Sequence, residues 1–480
     1  MKETQNHIRF LLGDELIILD FAAEGLSPTL TVLNWLRNHR GLTGVKEGCA
    51  EGDCGACTVV LAEPDNEDGL TYRPVNSCLT FLPALHGKQL ITVHHLAQEE
   101  KNEPVLHPVQ KVMVENDGIQ CGFCTPGITM SLFALFKNSR NPDRAEVETA
   151  LAGNLCRCTG YLPIVKSAQE VCDGSPDLFS KNENEVAHTL KVIRNQSTDI
   201  FIEDNKQKYF RPVDLSSALG YVADNPDTLV INGASDIALR QTKKFEQLTH
   251  ILDLSGIDEL KQIRRTAAGW EAGAGVTIES LTQIAGGEIA ALQQTGRLFG
   301  SRQIRETATI GGNLGTASPI GDLLPFLIAS KATAELTSLS GSRTLGIEEW
   351  ITGYRSTALK PGELLTKVVI PVIPGIRFYK VSKRRDVDIS SVSGGFRIEL
   401  EEGKVKDICL AFGGMAATPK RAVITEQSLR GKPWSLETVR EAAAKLSEDF
   451  QPISDARNSS SYRLAAAEGL LLKFYYDTHE

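Results

Sequence analysis

The sequence lacks a long apolar run: no stretch of its 480 residues approaches the ~18 apolar residues of a membrane span, so no transmembrane helix is expected. It lacks a basic excess. Lys and Arg total 51 against 60 Asp and Glu, a formal net charge of -9. This argues against a nucleic-acid partner, because phosphate binding wants a basic face. The start, Met-Lys-Glu-Thr-Gln-Asn-His, has no apolar h-region behind it, so no secretory signal is expected and the location reads as cytoplasmic. A dinucleotide G-x-G-x-x-G is also missing, since Gly273-Ala-Gly275 runs on into Val-Thr-Ile.

Cysteine is not lacking. Ten in a chain with no secretory signal favour metal or redox chemistry over disulfides. Residues 47–58, Glu-Gly-Cys-Ala-Glu-Gly-Asp-Cys-Gly-Ala-Cys-Thr, set Cys49, Cys54 and Cys57 in a C-x4-C-x2-C run, with Cys78 at a distance. That spacing is the one by which plant-type ferredoxins hold a [2Fe–2S] cluster. Gly48, Gly52 and Gly55 suit a loop that brings its backbone close to a cluster and visits positive φ. A zinc site or buried thiols is the alternative, but structural zinc usually takes two short doublets rather than a triplet and a remote single. A second group joins Cys121 and Cys124 (C-x2-C) to Cys156 and Cys158 (C-x-C), for which zinc is a stronger competitor. The Thr-Pro-Gly and Thr-Gly after these doublets resemble cluster loops with helix N-termini aimed at an anion. Cys172 and Cys409 are left over and read as idle buried thiols.

The local patterns imply a multidomain α+β chain of roughly three or four domains. Residues 7–20 read as a hairpin turning at Gly13-Asp14. Ser27-Pro28 reads as the start of a helix that Gly41 stops. Residues 58–61 and 72–78 then bracket a ββα-loop-β order, the β-grasp layout of ferredoxins. Four helices follow, opening near Pro108, Pro126 and Asp143 and over 164–171. Residues 173–199 are polar, with little apolar periodicity, and read as a linker. Strands and helices alternate beyond it. Residues 228–237 run from a buried strand into a glycine turn, and 307–322 read as a loop of small residues closed by a carboxylate. Read bare, both are glycine turns able to cradle phosphate through backbone N–H groups.

Three stretches together, Gly-Cys-Ala-Glu-Gly-Asp-Cys-Gly-Ala-Cys-Thr-Val, then Gln120-Cys-Gly-Phe-Cys-Thr-Pro-Gly, then Gly-Asn-Leu-Cys-Arg-Cys-Thr-Gly-Tyr, resemble the signatures of the xanthine dehydrogenase and aldehyde oxidase family of molybdenum hydroxylases, in family order. The resemblance implies two [2Fe–2S] clusters, on Cys49, Cys54, Cys57 and Cys78 and on Cys121, Cys124, Cys156 and Cys158. It implies a β-grasp ferredoxin-like domain (1–93), a four-helix cluster domain (94–172), the linker (173–199), a two-subdomain α/β FAD-binding domain (200–373) and a C-terminal α+β flavoprotein subdomain (374–480). FAD would rest on Val230, Ile231, Asn232, Gly233, Ala234, Ser235, Asp236 and Ile237, then on Thr309, Ile310, Gly311, Gly312, Asn313 and Thr316. Asp322 would accept from ribityl or ribose hydroxyls and Phe299 would lie beside the adenine. Leu365 and Lys380 would approach the flavin, the latter opening a basic loop to Asp386.

The family's molybdenum-binding portion has no counterpart in these residues, so a large partner subunit is expected to carry molybdopterin, in an α2β2 heterotetramer. The implied activity is electron relay in purine catabolism: hypoxanthine or xanthine oxidised by the partner, electrons passing through both clusters to FAD and on to NAD+. The same role in an aldehyde or nicotinate hydroxylase, or a pure electron carrier, is the alternative. No catalytic acid or base for purine chemistry is expected in this chain.

Overall fold

The computed structural model describes residues 4–65, 69–100, 103–196, 198–204 and 206–479. They form two compact units, one of residues 1–218, 227–257 and 301–308, the other of 219–226, 258–300 and 309–480.

The first unit opens on the hairpin of strands His7–Leu12 and Glu15–Asp20. With Gln89–Ile91, Thr58–Pro64 and Leu70–Asn76 these strands make a five-stranded mixed β-grasp sheet. The helix Val32–Asn38 packs Val32, Leu33, Trp35 and Leu36 against it. Its N-cap is Thr31, whose hydroxyl accepts from the Asn34 amide, not Ser27 as the Ser-Pro pair suggested. Ser27 donates instead to Gln207 and lies one turn early.

Helices Pro108–Glu115, Thr125–Asn138, Arg144–Leu151 and Leu162–Val171 follow, the third capped by Asp143 as its spacing implied. Thr125–Asn138 is buried along most of its length, because Ile128, Leu132 and Phe136 face the other helices while Met130, Phe133 and Ala134 face the sheet. Each of the larger of these side chains contributes about 1.5–3 kcal/mol of burial.

The stretch read as a linker is mostly an 18-residue helix, Leu178–Asn195. Phe179, Val186, Ala187, Leu190 and Ile193 form one narrow apolar stripe, which the surrounding polar residues concealed. Asp177 caps it through the Ser180 amide at 2.8 Å. The same carboxylate accepts from Lys137 Nζ and His107 Nε2, both at 3.0 Å, and all three side chains are at most 5% exposed. Because His107 Nδ1 accepts from the Val109 amide, its ring proton sits on Nε2 and points at Asp177. Burial alone would raise the carboxyl's pKa, but His107, Ser180 and Lys137 overcome it and hold Asp177 below the ordinary value of 3.8. A depressed carboxyl stabilises the fold above its unfolded value, and that share is lost as pH falls through the folded one. Asp177→Ala removes the cap and strands a buried ammonium, and is expected to cost the unit about 3–5 kcal/mol in denaturant unfolding.

A second sheet in this unit pairs Asp199–Glu203, Lys208–Arg211, His250–Asp253 and Leu229–Ile231 in that order, with Thr4–Gln5 on its outer edge.

The second unit holds an antiparallel sheet of Ile263–Thr266, Gly269–Gly273, Leu364–Ile370, Thr333–Ser338 and Gly341–Gly346. A second, four-stranded sheet joins Arg377–Val381, Val392–Glu401, Lys404–Gly413 and Lys420–Arg421. Helices Leu436–Ala443 and Ser460–Thr478 cover this second sheet over a core of Phe396, Phe412, Trp434 and Phe474. The helix Leu323–Ala329 is buried throughout, and Gly395 meets it so closely that a Cβ there would lie 2.2 Å from the Pro325 carbonyl. Among the described residues no helix is long and apolar enough to cross a membrane.

Candidate cluster and flavin sites

The four cysteines of the first group stand as two pairs. Cys57 Sγ lies 3.3 Å from Cys78 Sγ, both buried. Cys49 and Cys54 share a thiol hydrogen bond, and the amides of Glu51 and Cys54 each reach Cys49 Sγ at 3.4 Å. The Cys54 hydrogen bond and these amides hold Cys49 down to about 5, while its partner Cys54 is pushed well above the usual thiol range. In the same way the hydrogen bond shared by Cys57 and Cys78 lowers Cys57 and raises Cys78. Gly52 at φ 82 and Gly55 at φ 67 supply the loop's left-handed turns.

The second group also pairs, Cys121 with Cys158 and Cys124 with Cys156. Burial opposes ionisation of Cys156, but the Thr159 hydroxyl and the amides of Thr159 and Cys158 outweigh it and hold the thiol at about 7. Burial, then the bond to Cys156, pushes Cys124 up to about 12. The Cys156 amide itself donates to the Tyr161 hydroxyl at 2.6 Å. Cys124 caps Thr125–Asn138, so one sulfur stands at a helix N-terminus. Cys121 and Cys158 are exposed, and around them Phe123, Leu155 and Leu162 are exposed apolar side chains, 49%, 52% and 66% accessible.

Sulfurs in two pairs suit two bridged irons, each taking two thiolates, whereas one zinc ion gathers all its ligands about a single point. Among the described residues no three Cys, His, Asp or Glu side chains converge on one ion position. Cys172 and Cys409 stand apart and buried, and burial raises both thiols to about 12.

The flavin residues inferred from sequence divide between the units. In the first, the strand Leu229–Ile231 ends at Asn232, and Gly233 (φ 79) and Ala234 (φ 56) turn in the left-handed region. Consecutive turns of this kind aim backbone N–H groups into an anion-binding nest. Ser235, Asp236 and Ile237 lead into the helix Ala238–Thr242. A Cβ on Gly233 would lie 1.8 Å from the Thr307 carbonyl.

In the second unit, the stretch expected as a loop is a helix, Ile310–Thr316. Thr309 caps it, accepting from the Gly312 amide at 2.9 Å, and the Ile310 and Gly311 amides bond back to Val276 and Ala274. Its glycines suggested a loop, but Gly311 is there for closeness: a Cβ would lie 2.6 Å from the Ala274 carbonyl. Asn313 Oδ1 is buried without a hydrogen-bond partner, as an atom awaiting a ligand donor would be.

Asp322 and Lys380 come together at 2.7 Å, and Lys380 Nζ also donates to the Leu298 carbonyl, next to Phe299. Lys380 lies in the strand Arg377–Val381 with its side chain 3% exposed, so the basic stretch to Asp386 leaves the strand after it. Ser390 completes the group by donating to Asp322 Oδ1; nothing in the sequence marked it, 68 residues away. Leu365 is a buried strand residue beside the bulge opposite Leu336. Taken by itself, the left-handed turn of the first unit suits a phosphate group; within the second unit, the unpartnered Asn313 oxygen and the Asp322–Lys380 pair suit a hydroxyl-rich ligand.

Four family models match the chain: a 2Fe-2S iron-sulfur cluster binding domain at residues 22–83, a [2Fe-2S] binding domain at 92–169, an FAD binding domain in molybdopterin dehydrogenase at 204–373, and a CO dehydrogenase flavoprotein C-terminal domain at 377–478. The xanthine dehydrogenase of Emericella nidulans is 32% identical over 99% of this chain and 39% of its own length. The chain belongs to the xanthine dehydrogenase family of molybdenum hydroxylases. It carries two 2Fe-2S domains and an FAD-binding domain. Xanthine dehydrogenase/oxidase of Rattus norvegicus is 31% identical over 97% of the chain and 39% of its own length. The chain thus spans about two fifths of the length of these curated relatives. Among solved structures, a CO dehydrogenase from Oligotropha carboxidovorans matches 57% of this chain and 96% of its own at a TM-score of 0.52 and 26% identity. Quinoline 2-oxidoreductase from Pseudomonas putida 86 shares the fold over 57% of this chain, with TM-score 0.53 and 22% identity.

Proposed function

We propose that this chain is the electron-transfer subunit of a xanthine dehydrogenase. Hypoxanthine and xanthine would be oxidised by a molybdopterin-bearing large partner subunit, in a cytoplasmic α2β2 assembly, with NAD+ as the final acceptor. The observation that carries this reading is the presence of both pairwise cysteine groups and the FAD-binding domain on one chain. Bound, the clusters supply one-electron carriers, and FAD joins one-electron supply to two-electron delivery.

The chain's own residues hold and tune these groups. Cys49 with Cys54 and Cys57 with Cys78 would each hold one iron of the first cluster, and Cys121 with Cys158 and Cys124 with Cys156 those of the second. Amides of Glu51 and Cys54 stabilise the thiolate of Cys49. Backbone N–H groups of residues 230–237 would bind the pyrophosphate, together with Gly311, Gly312 and the hydroxyls of Thr309 and Thr316. Phe299, Asp322, Leu365 and Lys380 would line the rest. Lys380, bonded to Asp322 and to the Leu298 carbonyl, would be held in a fixed orientation beside the flavin. The domain limits 1–93, 94–172, 200–373 and 374–480 are proposed with this assignment.

A second reading keeps the relay and changes the substrate, because the matched solved structures include CO dehydrogenase and quinoline oxidoreductase. Purification of the native complex tests both. About four iron, four sulfide and one FAD are expected for each copy of this chain. NAD+ should be reduced with hypoxanthine or xanthine; reduction by aldehydes alone would move the assignment to the second reading, and zinc in place of iron would end both.

A further inference from the structure

The two cysteine groups touch through their backbones. The amide of Leu155, next to Cys156, donates to the carbonyl of Cys54 at 2.9 Å. Buried side chains knot the surroundings of this contact. Asn154 donates from Nδ2 to the Gly55 carbonyl at 3.1 Å and to Thr58 Oγ1 at 3.3 Å, and its Oδ1 accepts from Ser131 at 2.6 Å. Gln303, fully buried, sends Nε2 to Thr58 Oγ1 at 3.2 Å, Ser131 Oγ at 3.1 Å and Asn154 Oδ1 at 2.9 Å. One amide therefore ties together the strand leaving the first cysteine loop, a helix of the second domain and the turn into Cys156.

The backbone makes room for this knot. A Cβ on Gly55 would lie 2.2 Å from the Gly153 carbonyl, and one on Gly127 would lie 2.1 Å from that of Gly55. At Gly153 a Cβ would stand 2.0 Å from Gln303 Oε1. That Oε1 is buried with no partner, a state that costs about 1–3 kcal/mol. An apolar side chain of similar length would avoid the cost, so the role of Gln303 is better sought in position than in stability.

We propose that Gln303 is a positioning residue for electron exchange between the two clusters: with Asn154 it holds the Leu155 amide on the Cys54 carbonyl, and this hydrogen bond is the bridge between the ligand sets. The step moves one electron from one reduced cluster to the other, oxidised one. No bond forms or breaks, and no proton crosses, because both groups of the bridge are main-chain. The proposal rests on both clusters being bound. Gln303 also stands six residues before Thr309, in a run further anchored by the Arg73–Glu306 ion pair at 2.8 Å. The run that fixes the bridge therefore continues directly into the second flavin stretch.

The test uses the intact holoprotein carrying Gln303→Met. Each partner of Gln303 keeps another hydrogen bond, Asn154 Oδ1 from Ser131 and Thr58 from Asn154, so the fold should survive. Iron, sulfide and the separate EPR signals of both clusters are expected at wild-type levels. The magnetic splitting between the reduced clusters should weaken, and re-equilibration after a pulse of one-electron reductant should slow about tenfold, in line with the sensitivity of positioned reactions to small displacements. If Gln303→Met fails to retain both clusters, Ser131→Ala, which removes fewer bonds of the knot, should show the same change at smaller size. Unchanged splitting and an unchanged exchange rate in a variant with both clusters present overturn the proposal. A wild-type protein showing only one cluster signal overturns the cofactor reading itself, a result that iron and sulfide analysis tells apart.

Discussion

Under the proposed relay, Cys54→Ser is expected to abolish electron delivery to NAD+ while leaving the oxidation of substrate by the proposed partner intact. Serine is a close match in size, but its hydroxyl stays protonated at neutral pH and makes a poor iron ligand beside three thiolates. Cys54 is the sulfur that pairs with Cys49, so its loss takes half the ligands from one iron. The iron count should fall by about two of four, with one EPR signal gone and the other kept. The Cys54 carbonyl survives the change, and with it the hydrogen bond from Leu155 and the local fold. The deficit is therefore in conduction, not in assembly. Under the relay reading, NAD+ reduction by purine should drop on the order of 10²-fold or more, as expected when a reaction loses its positioned intermediate station. Purine oxidation with an artificial acceptor that takes electrons upstream should continue, and NADH-driven dye reduction through the flavin should continue as well. If NADH formation from purine persisted with the cluster gone, the relay reading would be wrong.

Local chemistry was legible in the sequence and long-range chemistry was not. The C-x4-C-x2-C run fixes its ligands within nine residues, so spacing alone brought Cys49, Cys54 and Cys57 to one loop. The turn at Gly13 and the cap at Asp143 are decided by near neighbours in the same way. Which sulfur pairs with which is a tertiary fact: Cys57 meets Cys78 and Cys124 meets Cys156 only once strands and helices are packed. Gln303 reaches Asn154 across 149 residues, and no local pattern around either announces the other. Composition misled twice. A polar stretch hid the helix Leu178–Asn195 because a narrow apolar stripe is enough when a sheet lies under it. Glycines in Ile310–Thr316 suggested a loop, yet Gly311 permits close packing of a helix on Ala274. Ser27-Pro28 carried a helix-start signature, but Thr31 sits where the backbone amides emerge.

Gly233→Ala is expected to strip the flavin from an otherwise loaded chain. Gly233 holds φ at 79, where a side chain costs roughly 1–2 kcal/mol. The added methyl would also lie 1.8 Å from the Thr307 carbonyl, a main-chain atom that no rotamer change can move aside. Relief requires the turn at residues 232–237 or the run 301–308 to shift. The first is the proposed pyrophosphate nest, and the second leads by two residues into Thr309, the cap of the other flavin stretch. Either displacement misplaces backbone N–H groups that must meet a phosphate within hydrogen-bonding distance. A loss of about 3 kcal/mol in flavin binding corresponds to a dissociation constant raised roughly 150-fold. The purified variant should hold little FAD, with iron and sulfide unchanged, because neither cysteine group lies on the displaced turn. Gly220→Ala is the control. It sits within the helix Leu215–Asp224 with open space where its Cβ would go, and the change should leave flavin content alone while stabilising that helix by about 0.5–1 kcal/mol. Full flavin content in Gly233→Ala would place the pyrophosphate elsewhere. Flavin and iron falling together would point instead to general unfolding of the unit that contains Gly233 and both cysteine groups.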